Sequence, residues 1–184
     1  EYLERKNIPI KTGVEEVFNS NLELASIGTQ EQYSKYLDSI FPDSKVKDVV
    51  YHGTQSKDKF NKFERKSELY GFYFTSYEDY SKQYGNNISS IINLVNPKTY
   101  DSIDKKEYSK IANLVSKDEF NEYDGINIKN FLGTNEIVVF EPEQIHILGS
   151  KQDIEGFKNW TEKNNGMLSS QKLLDNLQFK KGDC

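Results

Sequence analysis

The first forty residues carry their hydrophobic side chains at helical spacing. Thr29 and Gln32 stand three residues apart in the pattern of a capping box, so we expect a helix to begin directly after Thr29. Pro42 ends this segment, because proline disfavours helical backbone in the residue before it. Five apolar residues in the segment recur every three or four positions and predict one buried face: Tyr33, Tyr36, Leu37, Ile40 and Phe41.

From Val46 to about Phe140 the pattern changes to short apolar runs separated by Gly, Pro and Asn, which is typical of β-strands. Two segments between the runs, 77–84 and about 105–115, are predicted as helices. Ser76 with Asp79 predicts the start of the first of these helices, and Gly85 its end. Six runs are predicted as strands: 49–51, 72–74, 88–95, 126–128, 137–140 and 145–148.

After Gly149 the helical spacing returns. Ser150 is the expected cap of a helix that places Ile154, Phe157 and Trp160 on one face, and a second helix is predicted at 170–179. The whole series of helices and strands predicts the α+β class. A chain of 184 residues suits a single domain with one core.

Composition narrows the possible functions. The chain has 24 Lys and Arg against 29 Asp and Glu, which argues against a protein whose main affinity is for a phosphate backbone. A single Cys excludes an internal disulfide framework and a multi-cysteine zinc site. No apolar run approaches the ~18 residues of a membrane span, so no membrane partner is expected.

The first segment with candidate chemistry is a predicted strand that runs into Tyr51-His52-Gly53-Thr54. A lone His is more often structural than functional. Gly53 adds a second signal, because a residue without a Cβ lets a ligand approach the backbone closely enough to pair a planar amide with it.

Tyr73, Ser81 and Tyr84 form the second candidate group. Tyr73 lies on a predicted strand, while Ser81 and Tyr84 are three residues apart on the helix that follows and so point the same way. Two phenol rings could stack on a flat heteroaromatic ring while the hydroxyl bonds its polar substituent. The alternative is that these tyrosines are core aromatics in a chain that has 12 of them.

Two charged features complete the candidate chemistry. Glu136 precedes an apolar strand, where an acid is more often a solvated edge charge; in a site, it could stabilise positive charge on a sugar ring. A basic segment is either a solvated loop or a contact for the diphosphate of a dinucleotide or the phosphates of an acceptor. Its cations are Lys57, Lys59, Lys62, Arg65 and Lys66.

Taken together, these segments resemble the ADP-ribosyltransferase (ART) superfamily of the diphtheria-toxin and poly(ADP-ribose) polymerase type, which has a His, two Tyr and a Glu in that order. Tyr51-His52-Gly53-Thr54 looks like the first family motif and Gly71-Phe72-Tyr73-Phe74 like the second. Tyr84, eleven residues after Tyr73, stands where the family has its second stacking Tyr, and Asn135-Glu136 resembles the segment with the catalytic Glu.

Two further stretches, Tyr123-Asp124-Gly125-Ile126 and the run from Phe140 to Ile145, are most similar to the ART domains of phage and mobile-element polyvalent proteins. The resemblance implies the ART fold, a split antiparallel β-sandwich around an NAD cleft with helices at both ends. The implied catalytic core is 46–149, between an N-terminal helical extension, 1–45, and a C-terminal one, 150–184.

The resemblance also implies roles for individual residues, with NAD as the substrate and no metal. Tyr73 and Tyr84 would sandwich the nicotinamide ring, and Gly53 with Ser81 would hold its carboxamide. His52 would bond a ribose hydroxyl, next to Thr54 of the same motif. Glu136 would hold the 2′-hydroxyl of the nicotinamide ribose and stabilise the oxocarbenium-like transition state, completing a catalytic set with His52 and Tyr73.

The implied function is mono-ADP-ribosylation by a phage or bacterial effector or toxin, a monomer acting in the cytoplasm of a host or target cell. The sequence shows no long helical segment of the kind that regulates the DNA-damage polymerases, so mono-ADP-ribosylation is expected rather than chain growth. Thr134 is neither Glu nor Gln, which disfavours modification of Arg side chains. The acceptor, protein or nucleic acid, would meet the Lys57–Arg65 region and the loop Lys129–Asn135.

Three other functions stay open at the level of sequence. One is an NAD glycohydrolase with water as acceptor, and another is an inactive ART-like module that binds NAD or nucleic acid. The third is a glycosidase that pairs Glu136 with Glu141 or Glu143, which the fixed spacing along one strand disfavours.

Overall fold

The structure is a computed structural model that describes residues 10–56, 62–65 and 70–179, with side chains described as far as Asn165. Its helices are α1 (Val14–Ser20), α2 (Leu22–Ile27), α3 (Gln30–Ile40), α4 (Glu78–Lys82), α5 (Lys105–Ser116) and α6 (Lys151–Phe179), with a 3₁₀ turn at Pro142–Gln144. The strands are β1 (Val50–Thr54), β2 (Phe72–Thr75), β3 (Asn86–Ile92), β4 (Pro97–Asp101), β5 (Gly125–Phe131), β6 (Thr134–Val139) and β7 (Ile145–Ile147).

The seven strands form one mixed sheet in the order β4-β5-β6-β2-β1-β3-β7. All neighbours are antiparallel except β4 and β5, which are parallel. The sheet is nearly split at its centre, because β1 and β2 are joined by the single residue pair Tyr51 and Thr75. The α+β class and the ART fold expected from the sequence are therefore confirmed, with the two halves of the sheet still connected at one point.

Three apolar clusters surround the sheet. The first cluster packs α1, α2, α3 and α6 against the half of the sheet that contains Tyr51 and Ile91. The third cluster packs α5 against β5 and β6, through Ile111 and Ile128 among others. The second cluster covers the opposite face, where Phe74, Ile137 and Val139 meet. Helices thus lie on both halves of one face, on either side of the split.

Helix α3 follows the sequence prediction closely. The Thr29 hydroxyl accepts a hydrogen bond from the Gln32 backbone N–H, and the Gln32 side chain accepts one from the Thr29 N–H. The helix ends at Ile40, ahead of Pro42. Of its predicted apolar face, three residues are buried and two pack against them from the edge: Tyr33, Tyr36, Leu37, then Ile40 and Phe41.

Three predictions of secondary structure were wrong. Strand β4 was missed because it begins with Pro97 and lies at the sheet edge, where polar residues replace the apolar run of an internal strand. Helix α6 is continuous from Lys151 to Phe179, with no break before residue 170, because an isolated Gly such as Gly166 does not end a helix. Ser76 does not cap α4; its hydroxyl accepts from the Asn135 N–H instead.

The start of α6 is fixed by Asp153, which has no exposed surface. Its carboxylate accepts hydrogen bonds from the Tyr33 hydroxyl, from His146 Nε2 at 2.7 Å and from the Gly149 N–H at 2.7 Å. As predicted, Ser150 caps the helix, since its Oγ accepts from the Asp153 N–H at 3.2 Å. These contacts join α3, β7 and α6 at one buried point.

Candidate active site

The split between β1 and β2 opens into a cleft of about 520 Å³. Beyond the pair of Tyr51 and Thr75, no backbone ladder continues between these two strands. The His52 imidazole bridges the gap, because its Nδ1 lies 2.7 Å from the Tyr73 carbonyl oxygen and donates to it. Six of the residues singled out from the sequence line this cleft: His52, Gly53, Tyr73, Ser81, Tyr84 and Glu136.

Gly53 is required here by packing within the chain. A Cβ at this position would lie 2.3 Å from the Ser81 carbonyl oxygen and 2.7 Å from the Tyr84 Cβ. The carbonyl is backbone, so it cannot move aside as a flexible side chain can. The absence of a side chain at residue 53 lets α4 press against β1, which brings Ser81 and Tyr84 to the cleft.

Ser81 and Tyr84 differ in exposure although both line the cleft. Ser81 is buried, and its hydroxyl contacts the Glu78 carbonyl oxygen at 2.7 Å and the Asn87 side-chain oxygen. Tyr84 is 54% exposed and its ring packs edge-on to Tyr80, with centroids 5.9 Å apart. Tyr80 also lines the cleft and was not found from the sequence.

The phenols of this wall are poor acids. The hydrogen bond with Tyr84, together with burial, raises the pKa of Tyr80 to about 12. Burial, and then the nearby Glu136 carboxylate, raise the pKa of Tyr73. Both groups therefore stay neutral at physiological pH and present aromatic faces and hydroxyls to the cleft.

Glu136 is buried, although the sequence favoured a solvated edge charge for an acid at a strand start. On β6 it pairs with Thr75 of β2 and with Ile128 of β5, so it lies inside the sheet. Burial raises the pKa of the Glu136 carboxyl, and a hydrogen bond from the Tyr108 hydroxyl acts in the opposite direction. An acid next to an opening in the sheet, with a perturbed pKa, is typical of functional sites.

Tyr108 is the second residue that the sequence did not indicate. It lies on α5, and its ring stacks on Phe131 with centroids 4.4 Å apart and planes at 6°. The available signal was its spacing, since Tyr108, Ile111 and Val115 share the buried face of α5. That pattern predicts burial but not the Glu136 partner, which comes from a strand 28 residues away along the chain.

A comparison with protein families shows to which family the chain belongs. The family model of the ADP-ribosyltransferase in polyvalent proteins matches residues 47–153, more than half of the chain. This chain belongs to that family. A search of curated proteins and one of solved structures gave no match. The matched residues contain every element that borders the cleft, and leave α1, α2, α3 and most of α6 outside.

The segment that precedes the acid of this ART domain is a two-residue turn. Leu132 and Gly133 connect β5 to β6, both with positive φ, of 51° and 80°. Leu132 is 55% exposed at the rim of the cleft. Thr134 is buried, and its hydroxyl bonds that of Thr75 at 2.6 Å. The expected loop Lys129–Asn135 is thus a tight hairpin, which adds little exposed surface to the rim of the cleft.

The other candidate residues that the structure describes lie away from the cleft. Thr54 does not line it, and its hydroxyl accepts from the Ser56 N–H. Lys62 borders a different cavity, and Arg65 forms an ion pair with Glu141 at 3.2 Å. Lys57, Lys59 and Lys66 lie outside the described residues. Within the part of the chain that the structure describes, the cation that lines the cleft is Lys105, at the start of α5.

Among the described residues, no group of three or more His, Cys, Asp and Glu side chains is arranged to hold a metal ion. None of the described helices is long and apolar enough to cross a membrane.

Proposed function

We propose that this ART domain transfers ADP-ribose from NAD to a macromolecular acceptor and releases nicotinamide. The observation that carries the proposal is the convergence of Tyr73, Ser81, Tyr84 and Glu136 on one cleft at the split of the sheet. Family membership supports the reaction class. A cleft of about 520 Å³ falls within the ordinary range for sites that take a cofactor-sized ligand.

In the proposed reaction, the bond between C1′ of the ribose and the nicotinamide nitrogen breaks, and its electron pair leaves with neutral nicotinamide. The acceptor then forms a new bond to C1′ and loses its proton to solvent. Tyr73 and Tyr84 would hold the nicotinamide ring, with Gly53 and Ser81 at its carboxamide. Glu136, as a carboxylate, would stabilise the positive charge on the ribose in the transition state.

The roles proposed for His52 and Thr54 follow from their places. His52 donates from Nδ1 to the Tyr73 carbonyl, which leaves Nε2 as an acceptor for a ribose hydroxyl in the neutral ring. Thr54, which does not line the cleft, would act through the end of β1 and not by contact. Lys105 is better placed for the NAD diphosphate than the described cations of the Lys57–Arg65 region.

We further propose that the domain transfers a single ADP-ribose and acts as an effector or toxin of phage or bacterial origin, a proposal that rests on the resemblance of the sequence. Thr134 is buried among hydroxyls, so it offers nothing to an Arg acceptor where Arg-modifying relatives carry Glu or Gln.

A direct test is incubation of the protein with NAD labelled in the adenylate half, in the presence of cell extract. We expect nicotinamide release and labelled macromolecules. Glu136→Gln should reduce the rate by roughly 10²–10³-fold, because one preorganised electrostatic group is lost. Labelling that persists in Glu136→Gln, or NAD binding without release by the wild type, would contradict the proposal.

Hydrolysis of NAD is a second candidate function, and one observation favours it. The two-residue turn at Leu132 and Gly133 leaves a short rim on the side of the cleft from which an acceptor would approach Glu136. Water needs no docking surface. Free ADP-ribose formed at the same rate with and without cell extract supports hydrolysis, whereas strong stimulation by extract supports transfer.

A further inference from the structure

The Glu136 carboxylate has one hydrogen-bond donor among the residues that the structure describes, and that donor is the Tyr108 hydroxyl. The groups around it come from several elements. Tyr73 approaches from β2, Tyr80 from α4 and Lys105 from the start of α5, and His52 of β1 lines the same cleft. Among the described residues, the group that donates a hydrogen bond to the carboxylate is Tyr108 and none of these four.

The position of the Tyr108 hydroxyl is fixed from two sides. Its ring lies flat on Phe131, the residue before the two-residue turn, with centroids 4.4 Å apart. Its helix begins with a capping box, in which Asp104 accepts from the Glu107 N–H at 2.7 Å and Glu107 accepts from the Asp104 N–H at 3.0 Å. Neither contact involves Glu136, so the hydroxyl is held in place independently of the carboxylate.

The direction of the hydrogen bond is also fixed. Burial, and then the bond to Glu136, raise the pKa of Tyr108 far above its ordinary value, so the phenol keeps its proton and acts as donor. A buried carboxylate that accepts from a neutral hydroxyl stays ionised more easily than one without a donor. The bond occupies Oε1. Oε2 has no hydrogen-bond partner within the described residues.

We propose that Tyr108 is a positioning residue for Glu136: its hydroxyl holds Oε1, keeps the carboxylate charged at neutral pH and directs Oε2 to a substrate hydroxyl. Whether the Glu136 carboxylate acts on NAD rests on the proposed function. The effect of Tyr108 on the charge of Glu136 does not, and it can be measured in a protein without turnover.

The test compares Tyr108→Phe with the wild type and with Tyr100→Phe. Phenylalanine keeps the stack on Phe131 and removes only the hydroxyl. Tyr100 packs in the same apolar cluster as Tyr108, and the hydroxyl that bonds Glu136 is that of Tyr108 and not of Tyr100, so Tyr100→Phe is the matched control. The readout is the titration of the Glu136 side-chain carboxyl by carbon-13 NMR, with its signal assigned by its loss in Glu136→Gln.

We expect the midpoint for Glu136 to rise by about one pH unit in Tyr108→Phe and to stay unchanged in Tyr100→Phe. If the protein turns over NAD, the acid limb of kcat/KM should move by the same amount. The loss of rate is then about tenfold below the midpoint and small well above it. Loss of packing alone would lower the rate equally at every pH. The NMR signal is that of the Glu136 carboxyl carbon itself.

A second measurement examines the bond from the other side. The carbon-13 signal of the Tyr108 ring carbon that bears the hydroxyl should shift in Glu136→Gln, while that of Tyr100 should not. An unmoved Glu136 midpoint in Tyr108→Phe, or a Tyr108→Phe variant that is more active than the wild type, would overturn the proposal. The second result would mean that the hydroxyl competes with substrate. Absence of NAD turnover would contradict the proposed function but leave both NMR results decisive for Tyr108.

Discussion

Glu136 is the acid of the cleft, and it lies in a buried place. Glu136 lies within the sheet between β2 and β5, where an ordinary strand would carry an apolar side chain. Only the Tyr108 hydroxyl compensates for its lost hydration among the described residues. Such an arrangement lowers stability at neutral pH, and proteins keep arrangements of this kind where a charged group is needed for chemistry.

Glu136→Gln is therefore expected to be more stable than the wild type at neutral pH. The pKa of Glu136 is raised by burial, so its folded pKa lies above its unfolded one. The wild type then loses stability as the pH rises through the raised pKa, because the folded state must give up a proton that it binds more tightly. The melting temperature of Glu136→Gln should exceed that of the wild type at pH 7, and the difference should shrink as the pH approaches 4.

The control for this comparison is Glu155→Gln, since Glu155 is exposed on α6. Its melting temperature should follow that of the wild type across the same pH range. A lower melting temperature for Glu136→Gln at pH 7 would show that the ionised carboxylate stabilises the fold.

Tyr73 gives a second prediction at the same scale. Replacement by Leu removes the flat ring from the cleft, so binding of NAD should weaken by roughly 10-fold while the fold is kept, since a stacking contact is worth about 0.5–1.5 kcal/mol. Isothermal titration calorimetry with the Glu136→Gln background prevents turnover during the measurement. Tyr77→Leu is the matched control, because Tyr77 is 57% exposed and does not line the cleft. If the two variants bind NAD with equal affinity, Tyr73 does not stack on the nicotinamide ring.

Among the elements, the role of α5 and the length of α6 differ most from what the local sequence predicts. The extent of α5 was predicted, but its role at the site was not, because that role depends on which strands it crosses. The start of α6 depends on Asp153, which ties the first turn of the helix to α3 and β7. The connection between β5 and β6 depends on local conformation instead. The positive φ angles of Leu132 and Gly133 make it a two-residue turn, where the sequence predicted a loop.

Asp153→Asn tests the junction of α3, β7 and α6. The amide keeps the shape of the carboxylate but has one acceptor oxygen in place of two, so either Tyr33 and Gly149 or His146 lose their acceptor. We therefore expect a loss of about 3 kcal/mol in the free energy of unfolding. Urea denaturation followed by circular dichroism measures it. Asp101→Asn is the control, because both Asp101 and its ion-pair partner Lys129 are exposed, and this variant should lose less than about 1 kcal/mol. Equal losses for both variants would contradict this account.

At the scale of the whole molecule, the terminal helices share a core with the sheet. The first cluster joins Val14, Leu24 and Phe157 to Tyr51 and Ile91 of the strands. The family match begins at residue 47 and ends at residue 153, so it contains only one side of this cluster. The terminal helices therefore form part of the folding unit, beyond what the matched family segment contains.

A fragment that spans residues 47–153 should not fold by itself. Without α1, α2, α3 and most of α6, an apolar face of the sheet would be exposed to water, and this loss exceeds the marginal stability of a small domain. The matched control is a fragment of residues 10–165, which retains the whole first cluster and should show a cooperative thermal transition. The same transition in the 47–153 fragment would show that the sheet is stable without its terminal helices.

By itself, the sequence determined what depends on neighbours along the chain. The capping box and apolar face of α3, the apolar runs of β2 and β6, and the order of His, Tyr, Tyr and Glu were all local patterns. These were enough for the fold class and the family. Gly53 was also identified, although its reason is the Ser81 carbonyl and not only an approaching ligand.

The tertiary structure alone decided which groups meet across long separations in the chain. Three placements depend on the strand order and on where α5 crosses the sheet. Tyr108 contacts Glu136, Lys105 lines the cleft, and Lys62 and Arg65 lie outside it. No local pattern encodes these distances. The burial of Glu136 has the same origin, because a residue at the start of a strand is exposed or enclosed according to the strands beside it.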